Sequence, residues 1–191
     1  MKEVSRVVQF STKNKGKYEE AARVAASHGI QLVHLNVEKY EIQADDLAMI
    51  ARVAAEQALK DPSAWAIVAE DAGFFVNALN GFPGPYSSYV YRQLGVGGIL
   101  KLLQGVDERG AYFASAVACC SERGTFCFEG VVKGNVSLEP RGSHGFGFDP
   151  IFIPDRGDGK TFAEMDIDEK NHYSHRAIAF SKFCEWAKRS L

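Results

Sequence analysis

No apolar run in this sequence approaches the roughly 20 residues needed to cross a bilayer. Nor does a secretory signal open it, since the short apolar stretch after Met1-Lys2-Glu3 soon meets Lys13, Lys15 and Lys17. A cytoplasmic protein without a membrane partner is expected. Charge of one sign is also scarce. With a formal net charge of −2, nothing global draws the chain to DNA, RNA or a lipid surface, and a polyanionic ligand would need cations gathered locally. Cysteine is sparse as well: four residues, Cys119, Cys120, Cys127 and Cys184, none in a C-x-x-C pair. They read as reduced thiols of core or sheet, with a hairpin disulfide or a reactive site as the alternatives, and not as soft-metal ligands. No Ser-His-Asp or Cys-His constellation stands out.

What is present suits a folded α/β protein. At 46% hydrophobic and 24% charged over 191 residues, the chain can build one compact domain, and one domain of two lobes fits equally well. A strand-like run, Val4 to Phe10, is followed by a polar turn and a helical stretch to about His28, where Gly29 is a stop. Gln31 to Val37 alternates as a second strand, so the opening is βαβ-like. The next helix takes Asp45 or Asp46 as its cap, carries an apolar stripe of Leu47, Ile50, Ala51, Ala54 and Ala58, and is closed by Pro62. Ala64 to Glu70 reads as a short buried strand that ends at two acids, and Phe74 to Leu79 follows separately. Two short helical pieces are expected around Tyr86 to Leu94 and Gly98 to Leu103. Ala111 to Cys120, Thr125 to Lys133 and Asn135 to Glu139 look like an antiparallel meander, turning at Glu122-Arg123-Gly124. Ile151 to Ile153 is a last strand, and an amphipathic helix from about Ser174 to Lys188 ends the chain.

Four segments carry chemistry. Thr12-Lys13-Asn14-Lys15-Gly16-Lys17 lies at a strand-to-helix junction, where backbone N–H groups favour anions and a first-turn lysine adds charge for a phosphate tail. It is not a Walker loop, which needs glycine in place of Ser11 and Ser or Thr in place of Tyr18. Glu70 and Asp71 are neighbours on a strand, so they project to opposite faces; one can bind a hard cation while the other orients it or activates water. Glu41, just past another strand, could complete such a metal site. In Ser143 to Pro150, glycines alternate with aromatics, giving a backbone that approaches a ligand closely beside rings able to stack on a base. Lys170 to Arg176 leads into the last helix, with Ser174 as N-cap and His175 and Arg176 as donors at its positive end. Phosphate, hard metal and a heteroaromatic base together describe a nucleoside triphosphate.

Thr12-x-Asn14-x-Gly16-Lys17, Glu70-Asp71-Ala72-Gly73, Gly81-Phe82-Pro83-Gly84-Pro85-Tyr86-Ser87-Ser88, Gly145-Phe146-Gly147-Phe148-Asp149-Pro150-Ile151-Phe152 and Ala163-Glu164-Met165 … Glu169-Lys170-Asn171 … Ser174-His175-Arg176 occur in one order. Together they resemble the inosine/xanthosine triphosphate pyrophosphatase family, archaeal members in particular, from about residue 7 to the last helix. The resemblance implies two α/β lobes on a long mixed sheet with flanking helices, an active site in the cleft between the lobes, and a homodimer. It implies hydrolysis of ITP, dITP and XTP to monophosphate and pyrophosphate with Mg²⁺, for which Mn²⁺ could substitute. Thr12, Lys13, Asn14, Lys15, Gly16 and Lys17 would hold the triphosphate, and Ala72 would also touch substrate. Glu41, Glu70 and Asp71 would surround the metal, with Asp71 as general base. Phe146, Gly147, Phe148 and Asp149 would cradle the base, while Lys170, His175 and Arg176 would contact base and phosphate. Ala72 stands where the family commonly has Ser, and Glu70 where Asp is common. The rival readings are a pyrophosphatase for other modified nucleotides, a catalytically silent nucleotide-binding module, and a base-reading nucleic-acid binder that the charge balance opposes.

Overall fold

Alternation in the first strand, β1 (Arg6–Ser11), puts Val8 and Phe10 on one face, and both are fully buried. Helix α1 (Lys15–Ser27) starts where Asn14 caps it, the side-chain oxygen accepting from Lys17 N at 3.1 Å, and stops before Gly29. Strand β2 (Ile30–Leu35) pairs in parallel with β1 from Arg6 beside Ile30 to Ser11 beside Leu35. The following helix, α2 (Leu47–Ala58), is capped by Asp46, which accepts from Ala48 N at 2.8 Å. Its apolar stripe is buried as the periodicity predicts, with Ala55 added. The computed structural model describes residues 6–37, 40, 42–59 and 66–190. Val4, at the start of the expected first strand, lies outside that range, as do Ala64 at the start of the expected third strand, Pro62 and Glu41.

The remaining elements are β3 (Ile67–Val76), β4 (Pro83–Gly84), α3 (Ser87–Leu102), β5 (Gly110–Ser121), β6 (Gly124–Val136), β7 (Phe152–Pro154), α4 (Ile167–Asn171) and α5 (His175–Ser190). They complete a mixed α/β fold. The seven-stranded sheet has the order β2-β1-β3-β5-β6-β7, with β4 paired to β3. β1 runs parallel to β2 and β3, whereas β4 on β3 and β7 on β6 are antiparallel. Gly95 breaks α3 with φ 62° and ψ −170°, so this stretch is the two helical pieces expected. No helix among the described residues is long and apolar enough to cross a membrane.

The chain divides into two compact units. The first comprises Met1–Asp71, Ser115–Gly130 and Arg176–Leu191; the second comprises Ala72–Ala114 and Val131–His175. Each has its own apolar core. In the first, Val8, Phe10, Val24, Ile30 and Val68 pack with Phe180 and Phe183 of α5. In the second, Phe74, Phe113, Phe148, Phe152 and Phe162 form an aromatic cluster with Ile99, Leu103 and Ile151. All four cysteines are free thiols, and three of them are buried. Burial pushes Cys119 and Cys184 up to about 12.

Two expected breaks are absent. Ala72-Gly73 reads as a turn that ends a strand at Glu70, yet β3 continues from Ile67 to Val76. Gly73 is there because β4 comes close: a Cβ at this position would lie 2.6 Å from Gly84 O. Likewise Thr125 to Lys133 and Asn135 to Glu139 are expected as two strands, but β6 is one. Gly134 pairs with Pro154, and a Cβ on it would collide with the carbonyl of Ile153. Both glycines mark close approach of a partner strand, not interruption.

Candidate active site

The turn between β1 and α1 is tied by its own side chains. Asn14 N donates to Thr12 Oγ1 at 3.1 Å, and Lys17 N donates to Asn14 Oδ1. Thr12 is buried, whereas Lys13, Asn14 and Lys15 are exposed and Gly16 is half-buried. Lys15 turns to Glu19 at 3.6 Å, one helical turn on. Lys17 points the other way, to Glu70 Oε2 at 2.9 Å.

Glu70 is the centre of the first unit's polar chemistry. Its carboxylate is sealed from solvent and meets Lys17, Arg176 Nη2 at 3.1 Å and Ser115 Oγ, which donates to Oε1 at 2.8 Å. Burial alone would raise its pKa, but Arg176 and Lys17, with the hydrogen bonds from Lys17 and Ser115, hold it well below the usual carboxylate range. Arg176 is itself buried, and its Nη1 donates to Glu20 Oε2 at 2.5 Å. Two cations and two carboxylates thus balance, with Arg176 and both acids buried and Lys17 partly exposed, and such pairing is the condition under which buried charge is tolerated. The sequence does not single out Glu20 or Ser115. Glu20 is one more acid on a charged helix, 156 residues from its partner, and Ser115 is one small residue in a strand of small residues. Asp71, next along β3, is half-buried. Because β3 is continuous there, Asp71 stands inside a strand and not at its end.

In the second unit, Lys170 of α4 donates to Asp149 Oδ2 at 2.6 Å, both side chains being buried. The same oxygen accepts from Phe146 N at 2.8 Å, which shapes the Gly-aromatic loop around it. The Lys170 ammonium lies 5.0 Å from the centroid of the Phe146 ring and 5.2 Å from that of Phe162, within cation–π range. Phe146 and Gly147 are half-buried, and Phe148 is in the core, stacked on Phe74 with centroids 5.2 Å apart. His175 is also buried, its ring lying on Phe113 at 4.7 Å. Nothing in the sequence singles out Phe162; only its place beneath Lys170 reveals it.

A hard cation needs oxygen donors, which Glu70 and Asp71 have. Among the described residues, however, no group of three or more His, Cys, Asp or Glu side chains comes together, and Glu41 lies outside them. Glu70 is taken up by Lys17, Arg176 and Ser115. A metal cation on that carboxylate would meet the charge of Lys17 and Arg176. Asp71 fits better, because Mg²⁺ is commonly held by one or two carboxylates together with substrate phosphates and water.

These features define an α/β protein with a lysine-bearing helix start, an acid–cation centre beside a half-buried aspartate, and a lysine–aspartate pair among aromatic rings. The chain belongs to the Ham1 family, whose model matches residues 8–186. It is 48% identical over 178 residues to a protein of Saccharolobus solfataricus named dITP/XTP pyrophosphatase, covering 92% of this chain and 90% of that one. With the dITP/XTP pyrophosphatase of Ignicoccus hospitalis it shares 49% identity over 183 residues, covering 95% and 97% of the two chains. Among solved structures it is similar to a HAM1 protein from Coxiella burnetii, with a TM-score of 0.80 at 26% identity, covering 97% of this chain and all of that one.

Proposed function

We propose that this chain is a nucleoside triphosphate pyrophosphatase that hydrolyses deaminated purine nucleotides, dITP, ITP and XTP, to monophosphate and pyrophosphate. The observation that carries the reading is the Lys17–Glu70–Arg176 centre, built on a buried carboxylate beside Asp71, with Lys17 in the first turn of a helix whose start suits phosphate. The names of the relatives, nearly half identical over almost the whole chain, support the substrate class.

Lys17 and the turn Thr12 to Lys17 bind the phosphate tail. Asp71 takes the proton of a water whose oxygen attacks the α-phosphorus. The bond to the bridging oxygen breaks, and pyrophosphate leaves. Glu70 holds Lys17 and Arg176 in place. Glu41 and Asp71 would hold Mg²⁺, which when bound neutralises the phosphate oxygens and makes pyrophosphate a better leaving group. Lys170, fixed by Asp149 beside the Phe146 ring, is the better candidate to donate to the keto oxygen at position 6 of hypoxanthine or xanthine; Arg176 is engaged by Glu20 and Glu70. Adenine presents an amino donor there instead. The reading further includes a homodimer, which light scattering would test.

The deciding experiment is pyrophosphate release from ITP, dITP, XTP, GTP and ATP with Mg²⁺, with and without chelator. Fast release from the first three, slow release from ATP and none in chelator are expected. Asp71→Asn should fold normally and turn over slower by a factor of about 10² to 10⁴, as loss of a general base does. Near-normal turnover in that variant would remove Asp71 from the chemistry. No release from any of the five would leave a nucleotide-binding module.

A further inference from the structure

We propose that His34 is a positioning residue for the phosphate-binding turn, holding the Thr12 carbonyl so that the turn carrying Lys17 keeps its shape. The inference rests on reading Thr12 to Lys17 as the triphosphate cradle. β2 ends beside the end of β1, with Phe10 opposite His34 and Ser11 opposite Leu35. Its last two residues grip the turn twice. Thr12 N donates to Leu35 O at 3.2 Å, and His34 Nε2 lies 2.7 Å from Thr12 O. A carbonyl only accepts, so Nε2 carries the proton, in the neutral Nε2–H tautomer or in the imidazolium.

The His34 ring is fixed in turn by Tyr18 of α1, on which it stacks with centroids 4.7 Å apart and planes 20° from parallel. Tyr18 OH donates to Leu32 O at 3.2 Å, and Tyr18 N donates to Asn14 O at 3.1 Å. Together with the bonds from Asn14 N to Thr12 Oγ1 and from Lys17 N to Asn14 Oδ1, these contacts close a ring from Thr12 through Asn14 and Tyr18 to His34 and back. The other hydrogen bonds of the ring come from backbone or from residues of the turn and α1. His34 brings a side chain from β2. It is exposed and is not one of the buried core residues, so core packing does not account for it.

Two variants separate the donor from the ring. His34→Phe keeps a ring on Tyr18 and loses the donor; His34→Gln keeps an N–H donor and loses the ring. Binding of inorganic tripolyphosphate is measured by calorimetry, and KM and kcat with dITP. His34→Phe should weaken binding and raise KM about five- to tenfold, the weight of one hydrogen bond, while His34→Gln stays within about twofold of the parent. Unchanged kcat and melting temperature in both variants mark a positioning role. Parental affinity in His34→Phe overturns the proposal, as does an equal loss in His34→Gln or a fall in melting temperature that accompanies the loss. Lys17→Ala is run alongside. If it too binds tripolyphosphate normally, the cradle reading and this proposal fall together; if it binds poorly while His34→Phe binds well, only the role of His34 falls.

Discussion

In the first unit a buried carboxylate, Glu70, is met by Lys17, Arg176 and the Ser115 hydroxyl, and Arg176 continues to Glu20. In the second unit a buried ammonium, Lys170, is met by Asp149 and lies near the rings of Phe146 and Phe162. Both arrangements are neutral in sum and built on a buried charge, yet their surroundings differ in kind. Four charged groups with a hydroxyl suit a ligand part that is itself densely charged. One ion pair among π-faces suits a flat, polar, uncharged ring. The difference teaches that a buried charge can be satisfied in two ways, by a network of opposite charges or by a single partner among aromatic rings.

Removing Arg176 should have the largest effect. Arg176→Met takes the shared guanidinium from two buried acids, Glu20 and Glu70, and breaking a buried ion pair costs about 3–5 kcal/mol. Urea unfolding at neutral pH measures it. A loss below about 1 kcal/mol would mean that the two acids find other partners and that the network is not held together by this guanidinium.

In the second unit Lys170→Met leaves Asp149 with the Phe146 amide, and a loss at the lower end of that range, about 3 kcal/mol, is expected. The same variant should lower kcat/KM for dITP relative to dATP. An unchanged ratio would leave the Asp149–Lys170 pair as scaffolding. Here the unit supplies its own control. Lys160–Glu169 has the same 2.6 Å separation as Lys170–Asp149, but it is exposed. Exposed pairs are screened by water and salt, so Lys160→Ala should leave the urea midpoint where it is.

Acid sharpens the contrast from another direction. The pKa of Glu70 is depressed on folding, so its contribution to stability is complete above its ordinary value of 4.5 and is lost as pH falls towards the folded value. Unfolding measured at a series of acid pH values should show stability falling with pH in the parent. Glu70→Gln, less stable at neutral pH, should show a shallower fall below 4.5. Equal slopes would mean that other acids dominate the acid limb.

Sequence carried much of this, and where it did not the cause is physical. The stripe and cap of α2 are local, set by a 3.6-residue period and by Asp46, and they are where the pattern puts them. The seven-stranded order, by contrast, comes from contacts far apart in the chain. Gly73 and Gly134 look like punctuation in one dimension; only the neighbouring strand shows that each sits inside a continuous β-strand. Lys17, Glu70, Arg176, Asp149 and Lys170 are all legible as candidates. Their pairing is not, because Glu20, Ser115 and Phe162 have no local signature. Arg176, expected to contact base and phosphate, is paired with two glutamates, which its place in the sequence does not announce.

The thiols have a practical consequence. With a pKa of about 12, Cys119 and Cys184 hold only about one part in ten thousand as thiolate at pH 8, and thiolate is the form that reacts with alkylating reagents. Cys120 is shielded by burial. Cys127 is only half-buried; burial raises its thiol pKa as well, and Arg52 Nη2, 3.7 Å from the sulfur, opposes that rise. A maleimide dye should therefore couple at Cys127 first, placing a fluorescent reporter on β6 of the unmutated chain.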